Sequence, residues 1–146
     1  MAASAFTLYN SAKKFIGGGT LVLGTAAIRV KLCTSASNAS TFTLSTFASI
    51  SNEISARGGY VAGGRSLQSQ VWTVGASAKS YKYDAADLVF TASGSALNNV
   101  KFAVLGVGGA GGKALCWSRL STSQFTVTSP NTLTIQFNSL GILTLV

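Results

Sequence analysis

The stretch "AIRVKLC", residues 27–33, sets the reading of the whole chain. Ile28, Val30 and Leu32 fall on one side of an extended backbone; Arg29, Lys31 and Cys33 fall on the other. Upstream the spacing is different. In "FTLYNSAKKFI", residues 6–16, Phe6, Tyr9, Phe15 and Ile16 recur at roughly helical intervals. Lys13-Lys14 lie near the end, and Gly17 supplies a stop. One short helix over 6–16 is therefore expected.

Downstream the strand signals continue. "VKFAVLGVG" sets Val100, Phe102 and Val104 against Lys101, Ala103 and Leu105. "SLQSQVWTVGA", "SYKYDAADLVFTAS", "KALCWSRL", "QFTVTS", "TLTIQFN" and "GILTLV" are short runs bounded by turn residues. "TLSTFASI" reads as a weak strand or a short irregular element, and Ser129-Pro130-Asn131 as a turn. The pattern predicts an all-β chain: a jelly-roll-like β-sandwich of about eight strands with one short N-terminal helix. Its 146 residues fit one domain, 1–146.

Composition narrows the partners. Only 10% of residues are charged, against roughly 25% in an ordinary soluble domain. A Ser-, Thr- and Gly-rich exterior repels neighbours weakly and suits either packing against other chains or an uncharged soluble β domain. The net charge of +8 comes from eleven Lys/Arg against Glu53, Asp84 and Asp87. It would attract an acidic protein surface, nucleic acid or an anionic membrane. The cations are scattered, with only Lys13-Lys14 adjacent, so no nucleic-acid partner is expected. No apolar run reaches the roughly 18 residues of a membrane helix, and no membrane partner is expected. "KKFIGGGTLVLGTAA" imitates a secretion signal, but Gly17-Gly18-Gly19 interrupt it and twelve residues precede the lysines.

The chain is poor in catalytic parts. With no histidine, a Ser-His or Cys-His pair is impossible. Three carboxylates are few for a multi-carboxylate metal site, and two cysteines without histidine leave a zinc shell open. No metal, cofactor or enzymatic activity is expected. Cys33 and Cys116 read as free, partly buried thiols. Gly106-Val107-Gly108-Gly109-Ala110-Gly111 fits GxGxxG, yet no Asp or Glu follows Asp87 to bind a ribose. It reads as a flexible surface loop. Asp84 and Asp87, beside Lys82, read as turn formers. The aromatics of "SYKYD" and of Trp117 read as core ahead of a stacking surface.

One loop carries the candidate contacts. "EISARGGYVAGGRSL", residues 53–67, places glycine pairs 58–59 and 63–64 around a Tyr-Val-Ala segment. The glycines read as backbone pivots with positive φ or close chain approach. Arg57 and Arg65 stand outside the pairs as exposed basic arms, and Tyr60 as a packing residue; the three are the candidate interface residues.

Several segments in order resemble the small virion proteins of tailed phages that act as capsid cement, or decoration, proteins. "LYNSAKKFIGGGTLVLGTAAIRVKLCTS" resembles their opening helix, turn and strand. "NEISARGGYVAGGRSL" is similar to their acid-led Gly-Tyr-x-x-Gly-Gly block. "YDAADLVFTAS", "FAVLG" and "TIQFNSLGILTL" look like their later strands. Two segments depart from the pattern. "GGTLVLGTAAI" lacks the family's acidic residues, and "LGVGGAGGKALCW" has glycines where a polar loop stands. Both changes make this chain more basic.

The resemblance implies a jelly-roll-like sandwich on the capsid exterior of an HK97-type shell, made in the host cytoplasm. It implies the major capsid protein and further copies of the chain, as a dimer or trimer, as partners. A host-recognition module of the tail or head that binds glycans is the alternative expectation, and a DNA-contacting protein a third.

Overall fold

A computed structural model describes residues 4–146. It is an all-β fold with one short helix. The chain opens on β1 (Thr7–Leu8) and α1 (Asn10–Gly17). Then follow β2 (Ile28–Cys33), β3 (Arg65–Ser66), β4 (Val71–Val74), β5 (Tyr81–Asp84) and β6 (Leu88–Thr91). The second half holds β7 (Leu97–Val100), β8 (Phe102–Val107), β9 (Ala114–Arg119), β10 (Phe125–Val127), β11 (Thr132–Ile135) and β12 (Leu143–Leu145). Every pairing is antiparallel: a five-stranded sheet β1-β9-β8-β2-β3, a three-stranded sheet β12-β5-β4, and the ladders β10-β7 and β11-β6.

The helix begins later than the spacing predicts. Thr7 and Leu8 are extended and pair with Trp117 and Cys116, which satisfies their backbone on the outer strand of the large sheet. Tyr9 is still extended, its N–H donating to Leu115, and helical hydrogen bonding starts at Asn10. Phe6 packs through its ring against Phe137 rather than on a helix face. Leu21 and Leu23 of the signal-like segment are buried in the core.

The central strands are covered on both faces. All six positions of β2 but one are buried, and β8 is buried from Phe102 to Gly106. Lys31 and Cys33 are thus interior residues, although they alternate with Ile28, Val30 and Leu32. A 3-10 turn at Phe47–Ser49 roofs the Arg29–Lys31 face. Gly106 lets it close down: a Cβ there would sit 2.5 Å from the Phe47 ring. The strand register shifts between Leu105 and Gly106, at the same place. The buried apolar side chains form one contiguous cluster from Tyr9 to Leu143. Full burial of Ile28, Val30, Leu32 and Leu105 stabilises the fold by about 1.5–3 kcal/mol each.

The GxGxxG run is the connection of the β8–β9 hairpin. Gly106 belongs to β8, and Gly109 to Gly111 form the exposed tip. Tyr60-Val61-Ala62 is not a strand; it lies between two turns. No helix among the described residues is long and apolar enough to cross a membrane.

Candidate interaction surface

Segment 53–67 runs along the outer edge of β2 beyond the two-residue β3 and takes over that strand's hydrogen bonds. The Leu32 N–H donates to the Tyr60 hydroxyl at 3.1 Å, and the Ile54 N–H to the Leu32 carbonyl at 3.0 Å. The Leu67 N–H reaches the Ile28 carbonyl at 2.9 Å. A bridge pairs Cys33 with Glu53. An edge that would otherwise present unpaired backbone groups is closed by the chain itself.

Glu53 organises this strap. Its Oε1 accepts the Tyr60 hydroxyl at 2.5 Å and the Gly63 N–H at 2.7 Å. Its Oε2 lies 3.8 Å from Lys31 Nζ. Lys31 donates to the Phe47 carbonyl at 3.1 Å and stands 4.5 Å from the centre of the Phe47 ring. Arg29 ties down the far end: Nε donates to the Gly63 carbonyl at 2.9 Å, and Nη2 to the Gly64 carbonyl. Burial raises the Tyr60 phenol pKa well above its ordinary value, and the Glu53 hydrogen bond adds to the effect.

All four glycines of the strap have positive φ. Two are also pressed against backbone. A Cβ on Gly64 would overlap the Val30 carbonyl, and one on Gly58 would overlap the Ser95 carbonyl. The pairs therefore let the strap lie flat on β2 at one end and on the 93–97 turn at the other.

The three candidate residues occupy different places. Arg57 is exposed, and its side chain makes no hydrogen bond among the described residues; its carbonyl accepts the Tyr60 N–H at 2.9 Å. Arg65 is exposed, and its guanidinium donates to the Val89 carbonyl. Tyr60 is 3% exposed, with its ring 5.8 Å from that of Phe90. Its side chain belongs to the interior and is not part of the surface that the two arginines present. The reason is its hydroxyl, which is needed by Leu32 and Glu53.

The remaining charges follow one rule. Each carboxylate is bonded within the chain. Glu53 is held as above, and Asp84 receives Lys82 Nζ and the Ala85 N–H at 2.9 Å each. Asp87 accepts the Phe137 N–H at 2.9 Å. Lys13, Lys14, Arg57, Arg65, Lys79 and Arg119 are exposed.

No family model, no curated protein and no solved structure matches this chain.

Trp117 is flanked by Phe42 and Phe102, each with ring centres 6.1 Å away, and together with Phe102, Lys101 and Arg119 it lines a cleft of about 350 Å3. Its indole N–H has no acceptor among the described residues. Tyr81 is about half exposed and stacks on Trp72, whereas Tyr83 is buried and donates to Gln70 at 2.6 Å. Cys33 and Cys116 are free and buried.

Proposed function

We propose that this chain is a structural virion protein that decorates the outside of a phage capsid and bridges neighbouring capsomers, with a jelly-roll-like sandwich as its body. The observation that carries the proposal is the charge arrangement: all three carboxylates, exposed Asp87 included, hold hydrogen bonds from within the chain, while six cations are exposed. Such an exterior is complementary to an acidic protein surface and poorly suited to pairing with itself by charge alone. Contacts between copies would then be apolar. Val74, Tyr81 and Leu145 are each about half exposed and lie in register across β4, β5 and β12. A cement protein needs only modest single contacts, because bridging several capsomers makes the attachment multivalent. The order of resembling segments supports the same reading.

The deciding experiment is a copy count by quantitative gel densitometry of purified virions. Cement should be present in hundreds of copies per head, set by the capsid's own symmetry; about a dozen copies would overturn the proposal.

The aromatic cleft at Trp117 favours a second reading, a glycan-binding module for host recognition. Sugar faces stack on exposed aromatic rings, and Phe42 is half exposed beside Trp117. A low copy number at the tail, with glycan binding abolished by Trp117→Ala, would select it.

A further inference from the structure

The polar face of β2 borders a recess of about 430 Å3. Arg29 and Lys31, two residues apart on one side of the strand, line it together with Phe47 and the backbone of Gly63, Gly108 and Gly109. The site is built from both glycine-rich segments, the strap and the β8–β9 connection. Gly108 keeps its wall bare: a Cβ there would come within 2.7 Å of Arg29 Cδ.

Lys31 is 6% exposed and incompletely matched. A buried ammonium offers three donors and is costly without anionic or hydrogen-bonding partners. Among the described residues only the Phe47 carbonyl, at 3.1 Å, lies within hydrogen-bonding distance. The Glu53 carboxylate is 3.8 Å away through Oε2, and its Oε1 is committed to Tyr60 and Gly63. Arg29 uses three of its five donors on Gly63, Gly64 and Ser66. The carboxylate beside Lys31, Glu53, is already engaged and makes no ion pair with Arg29 among the described residues, so the recess is left positive and with donors to spare.

We infer that this recess binds one anionic oxygen group, a carboxylate or a phosphate, between Arg29 and Lys31. Charge-assisted hydrogen bonds to a guanidinium and an ammonium are the strong ones, and a glycine-walled recess lets the anion approach both. The inference does not depend on the capsid reading. The anion could be an acidic side chain of a partner or a free phosphate.

The test is an NMR titration of the full chain with inorganic phosphate and, separately, with N-acetylaspartate amide. Saturable shifts at the Gly63, Gly108 and Gly109 amides are expected with at least one probe. The tighter probe identifies the source, side-chain carboxylate or phosphate. Lys31→Met should abolish saturation, while the exposed Lys79→Met should leave it unchanged. Glu53→Gln keeps an oxygen for Tyr60 and Gly63 but removes the competing charge, so it should tighten binding by about tenfold. This second variant carries the test if Lys31→Met fails to fold. Shifts that never saturate, or anion binding that Glu53→Gln leaves unchanged or weakens, would overturn the site.

Discussion

The hydroxyl of Tyr60 donates to Glu53 Oε1 at 2.5 Å while accepting the Leu32 N–H at 3.1 Å, which joins the strap to the edge of β2 through one oxygen. Tyr60→Phe would keep the ring against Phe90 and delete only that oxygen. The Leu32 N–H would then be buried without an acceptor. A loss of about 1–3 kcal/mol is expected, the usual cost of an unsatisfied buried polar group. Urea unfolding of Tyr60→Phe against the parent chain measures it. Arg57→Ala, exposed and unbonded, serves as the reference and should stay within about 0.5 kcal/mol.

The paired glycines separate two causes of strain. Gly63 and Gly64 have φ of +86° and +75°, yet only Gly64 abuts another chain segment. Gly63→Ala meets open space and should cost about 1–2 kcal/mol from the left-handed backbone alone. Gly64→Ala adds overlap with the Val30 carbonyl, and its cost should exceed roughly 3 kcal/mol. Thermal melts of the two variants should therefore separate clearly. Equal midpoints would mean that the strap does not lie on β2 as described.

These residues also show what the sequence can convey. Period-two alternation identifies Arg29, Lys31 and Cys33 as sharing one face of β2, and most strands lie in the short runs, although β1 falls within the expected helix and β7 starts ahead of its run. Alternation does not say whether that face is covered. Phe47 and Glu53 cover it from segments with no periodicity, and Lys31 is buried. The double glycines signal positive φ by their identity, because other residues avoid it. Which carbonyl each one abuts depends on the tertiary path and is silent in the sequence. The helix starts later than its spacing predicts for a similar reason: Phe6 has helical spacing, but β9 offers Thr7 and Leu8 a sheet edge. Of the candidate contacts, Tyr60 reads from the sequence as a packing residue, and its ring is buried. Its link to Glu53, seven residues away, carries no local pattern.

Alkaline pH should unfold the chain early. Burial pushes the Cys33 thiol up from 9.0 to about 12, partly offset by the Ser37 hydrogen bond and by Lys31. Burial raises Cys116, Tyr9, Tyr60 and Tyr83 in the same direction. These groups ionise more readily in the unfolded chain, so the unfolded state loses protons first. Their contribution is full below the unfolded thiol's 9.0, and that of Cys33 is lost as pH rises to about 12. The urea midpoint should hold steady between about pH 6 and 8 and fall above 9. Cys33→Ala should flatten the first part of the fall. A thiol reagent at about pH 8 should leave both cysteines unmodified in the native chain and label both in urea. Rapid native labelling would contradict their burial.

Arg57 gives the cleanest test of the outward-facing charge. It is exposed and unbonded, whereas Arg65→Glu would also remove the bond to Val89. Reversing Arg57 lowers the net charge by two, from +8 to +6, without touching the core. If Arg57 faces an acidic capsid surface, Arg57→Glu should weaken decoration by about tenfold at low salt, through slower encounter and direct repulsion. The difference should shrink as salt screens the contact. Co-sedimentation with undecorated shells, at two ionic strengths, reads both effects. The urea midpoint should match the parent chain, so that any lost binding is not lost folding. Decoration at the parent level in low salt would remove Arg57 from the contact and leave the other exposed cations to account for the attraction.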